Sequence, residues 1–119
     1  SLVDESAAEE NIELLRIVQR CESEHESVLR ELQSRSATLC GHDGVKRRSN
    51  PLRPELMVRA VWEAADVLGL AGGARRALLR ALAEPLSRAL GGVFADALAQ
   101  LEAMGIEPAA WRATALPGR

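Results

Sequence analysis

Residues 5–40 read ESAAEENIELLRIVQRCESEHESVLRELQSRSATLC and contain neither glycine nor proline. The segment is rich in Glu, Leu, Arg and Ala, which favour helices, and Asp4 before it is suited to the N-cap position. We therefore predict one long helix over residues 5–40. Eight of its positions recur at alternating spacings of four and three, as in the seam of a heptad repeat: Leu14, Val18, Cys21, His25, Val28, Leu32, Arg35 and Leu39.

The length of this helix predicts a partner along the seam. At 1.5 Å per residue the helix would be about 54 Å long, whereas a compact domain of this size is about 35 Å across. Apolar surface left in water costs about 25 cal/mol per Å². We expect a second copy of the chain, or other domains of a larger protein of which this chain is a fragment, to cover the seam through Leu14, Val18, Cys21, His25, Val28, Leu32 and Leu39.

The remainder of the chain predicts a loop and three shorter helices, so the fold class is an all-α helical bundle in a single domain, residues 1–119. Turn formers and charges place an exposed loop at residues 41–54, in which Asn50 can close an Asx-turn. Helices occupy residues 55–107, divided at the Gly72-Gly73 and Gly91-Gly92 pairs, and a tail with Trp111 follows at residues 108–119. Pro85 should kink or divide the third helix, and Gly105 fits a Schellman-type stop after the fourth. The expected apolar face of the second helix, which ends near Gly69, consists of Leu56, Ala60, Val61, Ala64, Val67 and Leu68.

The composition is that of one ordinary globular domain without a strong electrostatic partner. The chain has 119 residues, of which 47% are hydrophobic and 3% aromatic, and its net charge is -2. That charge disfavours a nucleic-acid partner. No apolar run is long enough for a membrane span, and the two cysteines form no CxxC pair, so we expect a cytoplasmic protein with no membrane association.

Charge is nevertheless segregated along the chain. Residues 1–34 hold nine acidic and three basic residues, a net charge of -6, while residues 45–88 hold nine basic and four acidic residues, a net charge of +5. The acidic helix is therefore expected to pack beside the basic middle of the chain, within one copy or between two, with a salt-sensitive attraction.

Two basic clusters are candidate anion sites. The first contains Lys46, Arg47, Arg48 and Arg53, since clustered guanidinium groups bind phosphate in a bidentate manner. The alternative is an ordinary solvated loop. The second cluster contains Arg75, Arg76 and Arg80.

The sequence predicts no catalytic residue, no cofactor and no metal site. Cys21 and His25 are four residues apart and share a helical face, but two ligands are too few for a zinc site. The Gly-rich residues 69–73 lack the preceding strand and the following Lys-Ser/Thr of a phosphate loop. Trp62 is expected in the core.

Three stretches resemble the bacterial domain of unknown function 1631 family. They are Leu2-Val3-Asp4-Glu5, Leu29-Arg30-Glu31-Leu32 and above all Asn50-Pro51-Leu52-Arg53-Pro54. The family is often labelled thymidine phosphorylase, but this chain has no phosphate loop or α/β pattern of the kind such an enzyme needs. Family proteins are much longer, and some resemble regulators that carry a cyclic-di-GMP-binding PilZ domain, whose Arg-rich motif is not apparent here. The resemblance implies a regulatory or scaffolding role by association.

We therefore predict a non-catalytic helical module for protein interaction or dimerisation in a bacterial regulatory protein. The alternative hypothesis is a nucleotide-binding module, for a cyclic dinucleotide, or a nucleic-acid-binding module that uses the basic loop.

Overall fold

The computed structural model of the chain describes residues 2–110, and the fold is all-α, as predicted. No strand lies within that range. Short 3-10 segments occur at Arg47–Ser49 and Ala65–Leu68. Four α-helices account for most of the described chain: α1 (Leu2–Glu24), α2 (Glu26–Leu39), α3 (Pro54–Ala64) and α4 (Gly72–Ala103). Trp111 and most of the predicted tail lie outside the described residues.

The prediction of one uninterrupted helix over residues 5–40 is wrong, because the helix is interrupted at His25 and ends at Leu39. α1 ends at Glu24 and α2 begins at Glu26, with His25 in a turn between them. The His25 amide still donates to the Cys21 carbonyl (2.9 Å), so the interruption is limited to one residue. The interruption coincides with a tertiary contact of the His25 imidazole, which the local sequence does not reveal. Because the single long rod is absent, its length no longer argues for a second chain.

The start of α1 also differs from the prediction. The helix begins at Leu2, so Asp4 lies in its first turn and is not the N-cap. A carboxylate in the first turn still interacts favourably with the positive end of the helix dipole.

The predicted break at Gly91-Gly92 is wrong, because both glycines lie inside the 32-residue helix α4. That helix also runs through Pro85, which is exposed. A glycine in a helix interior costs only about 1 kcal/mol relative to alanine, an amount that tertiary contacts readily offset. Gly91 has such a contact, described below. The Gly72-Gly73 pair marks the start of α4. The φ angle of Gly72 is +52°, which lies in the left-handed region.

Several predicted stops and turns are confirmed. Gly105 has φ +76°, its amide donates to the Glu102 carbonyl (3.0 Å) and the Ile106 amide donates to the Leu101 carbonyl (3.0 Å). These two bonds are those of a Schellman motif. The segment after α3 ends at Gly69, whose φ is +67°.

The segment between α2 and α3 is more ordered than the predicted exposed loop. The Asn50 Oδ1 atom accepts the Leu52 amide (2.9 Å), which confirms the Asx-turn. Ser49 and Asn50 are nevertheless buried, and the Ser49 hydroxyl lies 2.9 Å from His42 Nδ1 and accepts the Lys46 amide at 3.0 Å. Because these polar groups have partners, they tolerate burial.

The described residues form two compact units, each assembled from two separate stretches of chain. One unit contains residues 2–26 and 54–93, and the other contains residues 27–53 and 94–110. The buried apolar side chains of the first unit are Leu14, Ile17, Val18, Cys21, Val58, Trp62, Leu79 and Leu90. Those of the second are Leu32, Ala37 and Phe94.

In the second unit, residues 106–109 are held against α2. The Ser34 hydroxyl donates to the Ala109 carbonyl (2.8 Å), and the Ala109 amide donates to the Ser34 carbonyl (3.1 Å). The Arg35 guanidinium donates to the Ile106 carbonyl (2.6 Å). Arg35, which belongs to the predicted seam, thus binds Ile106 at the Schellman motif that ends α4.

In the first unit, Gly91 provides space for the imidazole of His25. A Cβ atom at Gly91 would lie 2.8 Å from both ring nitrogens of His25, whereas a Cβ atom at Gly92 would meet nothing within 4 Å. The ring is fixed at this place, because His25 Nε2 lies 2.7 Å from the Ser87 carbonyl oxygen.

Substitution of these neighbouring glycines should have opposite effects. Gly92→Ala should raise the free energy of unfolding by about 0.5–1 kcal/mol, since alanine favours the helix. Gly91→Ala should lower it by about 1–2 kcal/mol, since the imidazole must give up its hydrogen bond. Urea unfolding measures both changes. In a His25→Ala background the penalty for Gly91→Ala should disappear, and a penalty of the same size there would contradict the contact.

Candidate functional site

The predicted interface seam lies largely in the interior of the chain. Leu14, Val18, Cys21 and Leu32 have exposed fractions between 0% and 8%. These four side chains belong to the cores of the two units, so the expectation that they contact a partner is wrong for them. His25 and Val28 are half-buried, and Leu39, at 51% exposed, is the member of the set that is open to solvent.

A polar cluster around Glu10 joins three helices of the first unit. The Glu10 carboxylate accepts the indole N–H of Trp62 and two N–H groups of Arg75, at 2.8 Å and 3.1 Å. Arg75 also pairs with Asp66 (2.6 Å), and its guanidinium lies 4.8 Å from the centre of the Trp62 ring. The bonds from Arg75 outweigh the effect of burial and lower the pKa of Glu10.

Two further ion pairs extend this contact along the same helices. Glu9 pairs with Arg76, and Glu13 pairs with Arg80 at 3.5 Å. The pair formed by Glu13 and Arg80 lies further along both helices than the pair formed by Glu9 and Arg76. α1 and the first part of α4 therefore run in the same direction. The predicted packing of the acidic helix beside the basic middle of the chain is therefore confirmed, within one copy.

These pairs change the interpretation of the second basic cluster. Arg75, Arg76 and Arg80 each have a carboxylate partner, so the cluster is not a free anion site. An open groove of about 340 Å³ lies beside it and is lined by Glu9, Ile12, Glu13, Arg16, Arg76 and Arg80. Its walls carry both signs of charge and give no preference for an anion.

The neighbourhood of His25 contains a serine and a carboxylate, but it does not have the geometry of a hydrolytic triad. A carbonyl oxygen can only accept, so His25 Nε2, 2.7 Å from the Ser87 carbonyl, must carry the proton. It cannot then take the proton of the Ser87 hydroxyl, which instead donates to Glu24 at 2.8 Å and lowers the pKa of that carboxyl. Burial raises the pKa of the nearby Cys21 thiol, which disfavours the reactive thiolate.

The basic loop contains three exposed cations and one that is held by the backbone. Lys46, Arg47 and Arg48 are exposed. Arg53 is half-buried, and its guanidinium donates to the Asn50 carbonyl (3.3 Å). Anion binding by this loop stays a prediction.

The apolar face that the sequence predicts for the second helix exists, but it faces solvent. α3 buries the stripe of Pro54, Val58 and Trp62, four residues apart. All six positions of the predicted face are exposed, and Val67 and Leu68 reach 88% and 62%. We call these six residues the outer face: Leu56, Ala60, Val61, Ala64, Val67 and Leu68. The indole N–H of Trp62, which needs a buried acceptor, is the sequence signal that could have identified the inward stripe.

Two charged residues flank the outer face. Arg59 and Glu63 are exposed and lie four residues apart on α3. Neither forms an ion pair with another residue that the structure describes. The outer face is therefore apolar along its centre and carries one charge of each sign at its flank.

Comparison with known proteins identifies one family. A family model described as the N-terminal domain of a protein of unknown function (DUF1631) matches residues 1–105. No curated protein and no solved structure matches the chain. No helix within residues 2–110 has the length and apolar character needed to cross a membrane.

The Glu10 cluster predicts a specific dependence of stability on pH. The folded-state pKa of Glu10 is lowered, so the carboxylate stabilises the fold above its unfolded pKa of about 4.3 and loses this effect as the pH falls through the lower folded value. Glu10→Gln should therefore reduce the free energy of unfolding at pH 7 and flatten its decline between about pH 5 and pH 3. Urea unfolding across this range measures the slope. Glu22→Gln, at an exposed position of α1, is the control, and equal slopes for the two variants would contradict the role of Glu10.

Proposed function

This chain belongs to the family of the DUF1631 N-terminal domain, and we propose that it is a non-catalytic helical module for protein interaction. The observation that carries the proposal is the outer face of α3 and of the 3-10 segment that follows it. Four large apolar side chains of that face are exposed together, at 43% for Leu56, 38% for Val61, 88% for Val67 and 62% for Leu68. Contiguous exposed apolar surface on a folded domain is typical of a site that another protein covers.

The energetics favour a protein partner for this face. Burial of apolar surface contributes about 25 cal/mol per Å², and full burial of a Val or Leu side chain contributes about 1.5–3 kcal/mol. The two alanines of the outer face have small side chains, so a partner helix can approach the α3 backbone closely. A charged ligand would gain little there, since the centre of the face is apolar.

The arrangement of the polar residues supports a role without catalysis. Arg75, Arg76 and Arg80 of α4 are paired with α1 carboxylates. The Ser87 hydroxyl and the His25 imidazole are both engaged in structural hydrogen bonds. These groups hold helices together and are poorly placed to act on a substrate.

The wider setting that we propose is the cytoplasm of a bacterium and a regulatory protein. Free thiols at Cys21 and Cys40 fit a reducing compartment. The regulatory role is supported by the resemblance to longer family members that carry signalling domains.

Site-specific photo-crosslinking in the source organism tests the proposal. A photoreactive phenylalanine analogue at Val67 or at Val61 should give adducts with another protein chain, since the outer face is covered by a partner. The same analogue at Ala89, an exposed position of α4, is the control. Adduct levels at Val67 and Val61 no higher than at Ala89 would contradict the interaction role.

A stability measurement completes this test. Val67→Ser should change the free energy of unfolding by no more than about 0.5 kcal/mol, because the side chain is exposed. A weaker adduct at Val61 in the Val67→Ser background then reports the loss of a contact and not the loss of the fold.

A further inference from the structure

We infer that the partner of the outer face is a second copy of this chain, packed so that two α3 helices run antiparallel about a two-fold axis at Ala60. This inference rests on the proposed function and names the partner. It is carried by the spacing of large and small residues on α3 and by the charges that flank them.

The shape of the exposed surface of α3 suits a two-fold axis at Ala60. Leu56, Ala60 and Ala64 follow one another at intervals of four and form one exposed ridge along α3. Leu56 and Ala64 are equally far from Ala60, so a two-fold axis there places Leu56 of each copy opposite Ala64 of the other. A large side chain then lies over a small one at both ends, and the small side chain on the axis permits close approach of the helices.

The charges beside the outer face suit an antiparallel pair of α3 helices. Arg59 and Glu63 lie on the same flank of α3, one residue before and three residues after Ala60. In an antiparallel pair the same flanks of the two helices meet with their directions reversed. Glu63 of one copy then lies two residues from the level of Arg59 of the other, about 3 Å along the axis. Two symmetric ion pairs form between groups that have no ion-pair partner within residues 2–110.

The short length of α3 limits the strength of this contact. α3 has 11 residues, so the paired helices are about 16 Å long. Val67 and Leu68 extend the apolar surface beyond the end of α3. An interface of this length belongs to the small and weak class of specific protein contacts. The association is therefore concentration-dependent, with monomer and dimer both populated.

Analytical ultracentrifugation tests self-association of the chain. The concentrations run from about 10 μM to about 1 mM, a range that covers weak specific contacts. The wild type should shift from monomer to dimer across this range. Ala60→Glu, which places two like charges at the axis, should raise the dissociation constant by about tenfold or more. Ala89→Glu, the same change at an exposed position of α4, should leave it unchanged. Circular dichroism checks that each variant is folded.

Charge exchange tests the antiparallel arrangement itself. Arg59→Glu and Glu63→Arg should each weaken the dimer about two- to fivefold, and the double variant should recover wild-type association, since each new charge again meets its opposite. A chain that stays monomeric at every concentration, an Ala60→Glu variant that dimerises like the wild type, or a double variant no better than the single variants would overturn the inference.

The crosslinking experiment separates this inference from the proposed function. Adducts at Val67 that join two copies of the same protein support self-association. Adducts with a different protein leave the interaction role in place and overturn the second copy as partner. A lack of adducts overturns both.

Discussion

The carboxylate of Glu10 joins three helices of the first unit. It lies on α1 and accepts hydrogen bonds from Trp62 on α3 and Arg75 on α4. An indole N–H that is buried needs an acceptor, and a partly buried carboxylate needs donors. Since each group supplies what the other lacks, the rotation of α3 about its own axis is set by this cluster. Once Trp62 faces inward, the outer face must point to solvent.

This constraint explains why the apolar periodicity of α3 predicts the wrong face to be buried. α3 and the 3-10 segment after it carry two apolar stripes, and hydropathy alone favours the longer one, from Leu56 to Leu68. The stripe that is buried contains the residue whose polar atom has a partner on another helix. The partner itself is a tertiary property, but the expectation that Trp62 lies in the core already points to the inward stripe and is confirmed.

The features that sequence does predict depend on local chemistry. The Schellman stop at Gly105 and the Asx-turn at Asn50 require only the residues next to them in the chain. The contact between acidic and basic segments follows from the charges of those segments. The sequence predicts neither the turn at His25 nor the continuous helix through Gly91, and both failures have the same reason. The ring of His25 occupies the space left by the absent side chain of Gly91, and neither residue signals this contact on its own.

The interleaved composition of the two units has a consequence for the order of folding during synthesis. Each unit combines an early stretch of chain with a late one, and the second unit draws its later stretch from residues 94–110. Residues up to 53 therefore complete neither unit on their own. The cores of both units are therefore complete only after α4 has been synthesised.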